Sequence, residues 1–308
     1  MRPVPASSAQ ALSLIERAGF TPPTPFKAPV VRSNPLLALI HDDSDRGILD
    51  AVGAGIAETL AGGEMALVVH AMPRDDAASQ LRAFLQRHRP AGVVLLSPLP
   101  EREDIVRVCV DARVRCARLG PTRGGTLPAN LHSLATDERQ AARDLVAWLV
   151  AQGHVRIGFV AGPDGSLSAQ QRELGYLDAM ADAGLDRGPA LIVPGDNAFD
   201  SGIEAGRILL EISPRPTAIL ASNDEMAAGV LHAAAQMGVA VPTQLSVAGL
   251  DDTPLSARIL PALTTMHIPW KLMGAEAARL AGAGEPLVAR EMDFFAKLVV
   301  RDSVQAPS

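Results

Sequence analysis

From Leu36 onward the chain repeats one unit, a short apolar run of strand length followed by a segment whose apolar residues recur at helical spacing. LLALI (36–40) precedes a helix predicted over 47–61, MALVVH (65–70) precedes 75–88, and AGVVLLS (91–97) precedes 101–112, with Val114 to Leu119 as the next strand. Buried strands joined by helices need crossover connections, which are right-handed, so the pattern predicts parallel sheets covered on both faces. After a helix capped at Thr136-Asp137-Glu138 and ending near Gly153, the alternation resumes. It gives IGFV (157–160), a helix over 169–183, ALIVP (190–194), a helix over 201–212, a helix over 270–281 and a last strand over 297–301.

The stretch from Pro216 to Trp270 organises this second half. Ala218-Ile219-Leu220-Ala221 reads as a strand, Ser222-Asn223-Asp224 as a turn, and Met226, Val230, Leu231 and Ala234 as one helix face stopped by Gly238. A second strand, Val247-Ala248-Gly249-Leu250, ends at Asp251-Asp252. In open parallel sheets ligands bind beyond the carboxyl ends of the strands, which is where Asn223 and Asp251 fall.

A chain of 308 residues is long enough for two cores, and 48% hydrophobic with 20% charged residues describes a sequence able to bury them. Five prolines between Phe20 and Pro35 separate a short helix expected over 7–19 from the α/β body. The expected division is 1–34 as an N-terminal helix and linker, 35–134 plus 267–290 as one lobe, and 135–266 plus 291–308 as the other. A net charge of −6 offers no global attraction to nucleic acid. No apolar run reaches membrane-spanning length and no secretory core follows Arg2, so a cytoplasmic location is expected and no membrane partner. The two cysteines, Cys109 and Cys116, lack metal or redox spacing and read as buried free thiols.

Among candidate site residues, Asn223 and Asp224 precede a helix, where either serves as a cap. The alternative gives Asp224 the cap and leaves the Asn223 amide to face a ligand. Asp251-Asp252 resembles a carboxylate pair, but a strand-end aspartate before Thr-Pro is more often turn chemistry. Arg172 is a candidate cation for a polyol if it shares the cleft with Asp251. Trp270, after Pro269, is a candidate stacking wall, whereas Trp148 reads as core and His154 as locally bonded. Gly53-Ala54-Gly55 is an incomplete dinucleotide fingerprint inside a helix, and no nucleophile elbow, phosphate loop or zinc motif is present. Neither an enzyme nor any cofactor is therefore expected.

Taken together, TDERQAARDLVAWLVAQGHVRIGFVAG, SAQQRELGYLDAM, PTAILASNDEMAAGVL, VPTQLSVAGLDDTPLSARILPALTTM and LVVRDS resemble the lactose/galactose-repressor (LacI/GalR) family over roughly residues 35–303. The resemblance implies two doubly wound lobes joined by three crossovers, closing on a sugar-like effector, in a cytoplasmic homodimer whose DNA affinity the effector controls. Carried over by position, the pocket residues are Arg172, Asn223 and Asp251, with Ser168 a turn before Arg172. Asn197 stands where members often carry an aromatic platform, and Ile268 where many carry a polar contact. Residues 7–20 resemble only the third helix of the family's DNA-reading domain, so operator DNA is expected to be bound only through helices absent here. A solute-binding protein of the same fold is the competing expectation.

Overall fold

The computed structural model describes residues 34–42, 45–73, 75–122, 126–282 and 288–307. The helix expected over 7–19, most of the proline-rich linker and most of the turn expected at 282–286 lie outside these residues.

The first sheet contains β1 (Asn34–His41), β2 (Ala66–Ala71), β3 (Pro90–Leu96), β4 (Arg115–Leu119), β5 (Leu131–Thr136) and β11 (Glu291–Phe294), in the order β11-β5-β4-β3-β1-β2. Every pairing in it is parallel. The second contains β6 (Ile157–Val160), β7 (Ile192–Val193), β8 (Ala218–Ala221), β9 (Ser246–Asp251), β10 (Thr264–His267) and β12 (Lys297–Val299), ordered β12-β10-β9-β8-β6-β7. Only β12 is antiparallel, to β10.

Helices α1 (Arg46–Leu60), α2 (Ala77–His88), α3 (Glu103–Asp111) and α8 (Trp270–Ala281) cover the first sheet. Because strand side chains alternate, Leu37 and Leu39 meet Val52, Ile56 and Met273 of α1 and α8, while Ala38 and Ile40 meet Leu81, Phe84 and Ile105 of α2 and α3. Cys109 and Cys116 are buried free thiols on the α2–α3 side. The second sheet is sandwiched between α4 (Glu138–Ala151) with α5 (Leu167–Asp182), and α6 (Phe199–Glu211) with α7 (Asp224–Gln236). Trp148 packs half-buried on the α4–α5 core, and His154 bonds Thr217 Oγ1 at 2.9 Å and Gln305 O at 3.1 Å.

The chain passes between the sheets three times, after β5, between β10 and α8, and between β11 and β12. The third passage corrects the expected division, which assigned 291–308 to the second lobe. Glu291–Phe294 pairs with Ser133–Thr136 in the first sheet, so the crossing falls at Phe295-Ala296. This strand supplies hydrogen-bond partners to the outer edge of β5, which is otherwise a buried open edge. Three strands, β5, β10 and β11, were absent from the expected set. LHSLAT, TTMH and EMDF carry no continuous apolar run, since polar side chains interrupt each.

Two glycines explain how α1 and α8 sit so close. A Cβ on Gly55 would lie 1.9 Å from the Lys271 carbonyl oxygen, and one on Gly274 would lie 2.4 Å from that of Val52. Gly55 of the incomplete dinucleotide motif thus serves helix packing. Gly55→Ala should lower stability by about 1–3 kcal/mol, the usual cost of overpacking, read as a lower urea midpoint. An unchanged midpoint would refute this account of the α1–α8 contact.

Candidate functional site

In each sheet the strand order reverses once, between β1 and β3 and between β6 and β8. Parallel strands flanking such a point send their following loops in opposite directions and leave a crevice beyond their carboxyl ends. The two crevices share one cavity of about 300 Å³. Asp42, Asp45, Ser97 and Glu101 line it from the first lobe, and Ser168, Arg172, Asn197, Asn223 and Asp251 from the second, with Trp270 at the second crossover. All six side chains picked out from sequence therefore border the same space.

Arg172, on α5, is 5% exposed and forms the floor. Its Nε donates to Glu138 Oε2 at 2.5 Å, Nη2 to Asp251 Oδ1 at 2.8 Å and Nη1 to Asp251 Oδ2 at 3.2 Å. Nη1 also donates to the Ser222 carbonyl. Burial by itself would lower the guanidinium pKa, but Asp251 and Glu138 more than reverse that and keep it charged. Ser168 donates its hydroxyl to Glu138, and Trp270 Nε1 donates to Asp251 Oδ1 at 3.3 Å. Asp251 holds φ = 112°, a conformation that L side chains rarely adopt, while its carboxylate is paired on two sides.

The structure corrects the capping expectation. Asn223 is the cap of α7, accepting from Met226 N at 2.9 Å through Oδ1. Its Nδ2 faces the cavity, donating to Asn197 O at 3.0 Å and to Asp45 Oδ2 at 3.4 Å. Asp224 is buried instead, accepting from Thr253 N at 2.7 Å, Thr253 Oγ1 at 3.0 Å and Thr265 Oγ1 at 2.6 Å. Burial and then the neighbouring Asp251 push its pKa well up. Asp252 likewise leaves the site, pairing with His267 Nδ1 at 3.0 Å and Arg301 Nη2 at 2.6 Å, so Asp251-Asp252 is not an acid pair within the cavity.

Three acids were missed in the sequence. Glu138 read as a capping-box residue, yet its carboxylate is the second partner of Arg172. Glu101 reaches from the first lobe to accept from Leu167 N of the second at 2.6 Å, and from Ser97 Oγ at 2.8 Å. Burial pushes its pKa up. Asp45 caps α1 by accepting from Ile48 N at 3.0 Å. Burial, then Asp251, raise its pKa to about 7 against the Ile48 N–H, Arg172 and Asn223. The one available signal was the acidic run Asp42-Asp43-Ser44-Asp45 directly after an apolar strand. Among the described residues no three His, Cys, Asp or Glu side chains converge as a metal set, and no helix is long and apolar enough to cross a membrane.

Residues 146–304 match the periplasmic binding protein-like domain family. Catabolite control protein A of Priestia megaterium is 42% identical over 149 residues, covering 48% of this chain and 45% of that protein. The HTH-type transcriptional regulator AscG of Escherichia coli K12 is 36% identical over 182 residues, covering 58% and 53%. These first alignments thus span about half of each relative. The HTH-type transcriptional regulator CelR of Thermobifida fusca is 27% identical over 288 residues, covering 90% of this chain and 82% of that protein. Two of these relatives are HTH-type transcriptional regulators. The fold matches a transcriptional regulator CelR–cellobiose complex with TM-score 0.78, 24% identity and coverage of 97% and 91%. It also matches a LacI family regulator of Enterococcus faecium with bound ribose, with TM-score 0.77, 18% identity and coverage of 89% and 100%.

Two outcomes follow from the geometry. Arg172→Met leaves Glu138 and Asp251 buried without their cation and should destabilise the protein by about 3–5 kcal/mol in denaturant titration. A loss below about 1 kcal/mol would show that the network contributes little. Because the folded pKa of Asp45 lies near 7, above the ordinary 3.8, the native state holds this proton more tightly than the unfolded chain. Its contribution is present at acid pH and is lost as pH rises through about 7. Asp45→Asn should therefore flatten the fall in melting temperature between pH 5 and 8, and parallel wild-type and variant curves would refute the assignment.

Proposed function

Because the chain belongs to the periplasmic binding protein-like domain family, among its lactose/galactose-repressor (LacI/GalR) members, we propose that it is the effector-sensing part of a transcriptional regulator. The observation that carries this reading is the single cavity between two facing switch points, with side chains of both lobes on its walls and Arg172, Asn223 and Asp251 on its floor. A small polar molecule of the sugar class seats there. Asn223 Nδ2 and the Arg172 guanidinium donate to it, the Asp251 carboxylate and Asn197 carbonyl accept from it, Ser168 does either, and Trp270 forms an apolar wall. These are also groups that hold one another, so a ligand must exchange contacts with the network.

A ligand touching both lobes favours the arrangement in which both sets of contacts are made, and its effect on DNA affinity equals the difference in its affinity for the two arrangements. The regulator works in the cytoplasm as a homodimer and reaches operator DNA through helix-turn-helix domains of the whole protein. The CelR–cellobiose and ribose-bound structures support the sugar class for the effector.

A ligand that binds only the native state raises its melting temperature, by an amount equivalent to about 2.7 kcal/mol at one hundred times Kd. Screening sugars, nucleosides and small polyols should give such a shift, and Arg172→Ala or Asp251→Asn in folded protein should weaken binding at least about tenfold. Unchanged affinity in both would overturn the residue roles. Light scattering should report a dimer at micromolar concentration, and a monomer at every concentration would overturn the assembly.

A further inference from the structure

Three acids, Asp45, Glu101 and Asp251, and one deep cation line the interior of the cavity, with Asp42 and Asp164 also on its wall and Glu138 behind the cation. Arg172 is the cation, and its N–H groups are already committed to Glu138, to both oxygens of Asp251 and to the Ser222 carbonyl. Arg102, on the rim, is held by Asp104 at 2.7 Å. The paired acids therefore consume the positive charge, and two more remain. Asp45 has the Ile48 N–H at 3.0 Å and one long contact, 3.4 Å, from the Asn223 amide. Glu101 has the Leu167 N–H and the Ser97 hydroxyl. Neither has a cation of its own among these partners, and Asp45 faces the Asp251 carboxylate across the cleft.

This balance separates ligand classes. An anionic ligand, such as a sugar acid or sugar phosphate, would add charge to a space that is already in acidic excess, beside a guanidinium with little left to donate. A neutral polyol would leave the acids as they are. A protonated amine on the ligand would give Asp45 a direct counter-ion in place of the distant Arg172, whose N–H groups are committed elsewhere, in a charge-assisted hydrogen bond that strengthens in a poorly hydrated site. Ile48, Leu96 and Trp270 border the same space and suit the carbon face of such a molecule.

Resting on the sensor reading above, we infer that the effector is a small polar molecule bearing a basic nitrogen, such as an amino sugar, whose ammonium group sits against Asp45. Burial and Asp251 favour a proton on Asp45 in the empty cavity, so an ammonium group arriving there displaces that proton to solvent. The charged groups that share the cavity wall with Asp45 are Asp251 of β9 and Arg172 of α5, both fixed in the network, and Asp164 of the second lobe, with Asp42, Glu101 and Arg102 on its own lobe.

The test is calorimetry at pH 6, where Asp45 in the empty cavity and the amines both carry their protons, with matched sets of neutral, amine and acid compounds: glucose, glucosamine and glucuronate, the galactose set, and adenosine beside its amino-sugar counterpart. The amine members should bind at least about tenfold more tightly than their neutral parents, releasing a proton seen as a dependence of the heat on the buffer. Asp45→Asn keeps the α1 cap and should reduce that ratio to about one. Tighter binding of a neutral or acidic member, or a preference for amines that survives Asp45→Asn, overturns the inference and leaves the sensor reading standing. No binding by any compound of any set counts against both.

Discussion

A buried guanidinium between two buried carboxylates is the contact on which this architecture turns. Glu138 lies just after the first passage between lobes, Arg172 on the helix that packs beside it, Asp251 at the end of a central strand, and Trp270 just after the second passage. Taking three charges out of water costs several kcal/mol per ion, and only close pairing with nearly every hydrogen-bonding position filled offsets that. The return is geometric. Once Arg172 is bound on two sides, the starts of α4, α5 and α8 and the end of β9 have one arrangement in which no charge is stranded. The polar floor of the cavity is held by groups that stabilise the second lobe's core, so recognition and folding share the same atoms.

Most of the α/β framework was legible because its signal is local. Strands such as Leu37–Ile40 are buried on both faces and appear as unbroken apolar runs, and helices such as Ala77–His88 show their buried face at regular spacing. The strands that escaped, β5, β10 and β11, have polar residues where an apolar run was required. His132, Ser133, Thr264 and Thr265 are all buried, for reasons that lie in their neighbours and not in their own sequence.

The site was legible to a similar depth. Arg172, Asn223 and Asp251 stood out because each falls at a strand end or on a recognisable helix, and the structure places them on one cavity. What local reading misjudged was the division of labour. Asn223 and Asp224 are equivalent caps on paper, and what decides between them is the pair of threonine hydroxyls, Thr253 and Thr265, waiting to receive the Asp224 carboxylate. Asp45 offered only the acidic run after a strand and Glu101 no hint at all, because an aspartate before a helix is an ordinary cap and a glutamate near a proline turn is ordinary surface. Their significance arises from Asp251 and Leu167, more than sixty residues away in sequence and in the opposite lobe.

The α1–α8 contact has a mechanical meaning. With Gly55 and Gly274 removing the space between the two helices, α8 is fused to the first lobe from its first turn, and compliance at the second passage is confined to the residues just before Trp270. The three passages then act as a fulcrum beside the cavity. Strand β1 runs from Asn34 to the cavity edge over eight residues, so its far end stands about 26 Å away at roughly 3.3 Å per residue. A turn of about 5° at the fulcrum would sweep Asn34 through about 2 Å on that arm. Asn34 is also where the preceding residues join this body, so, on the sensor reading, a small adjustment around a bound molecule would be largest at the point of attachment.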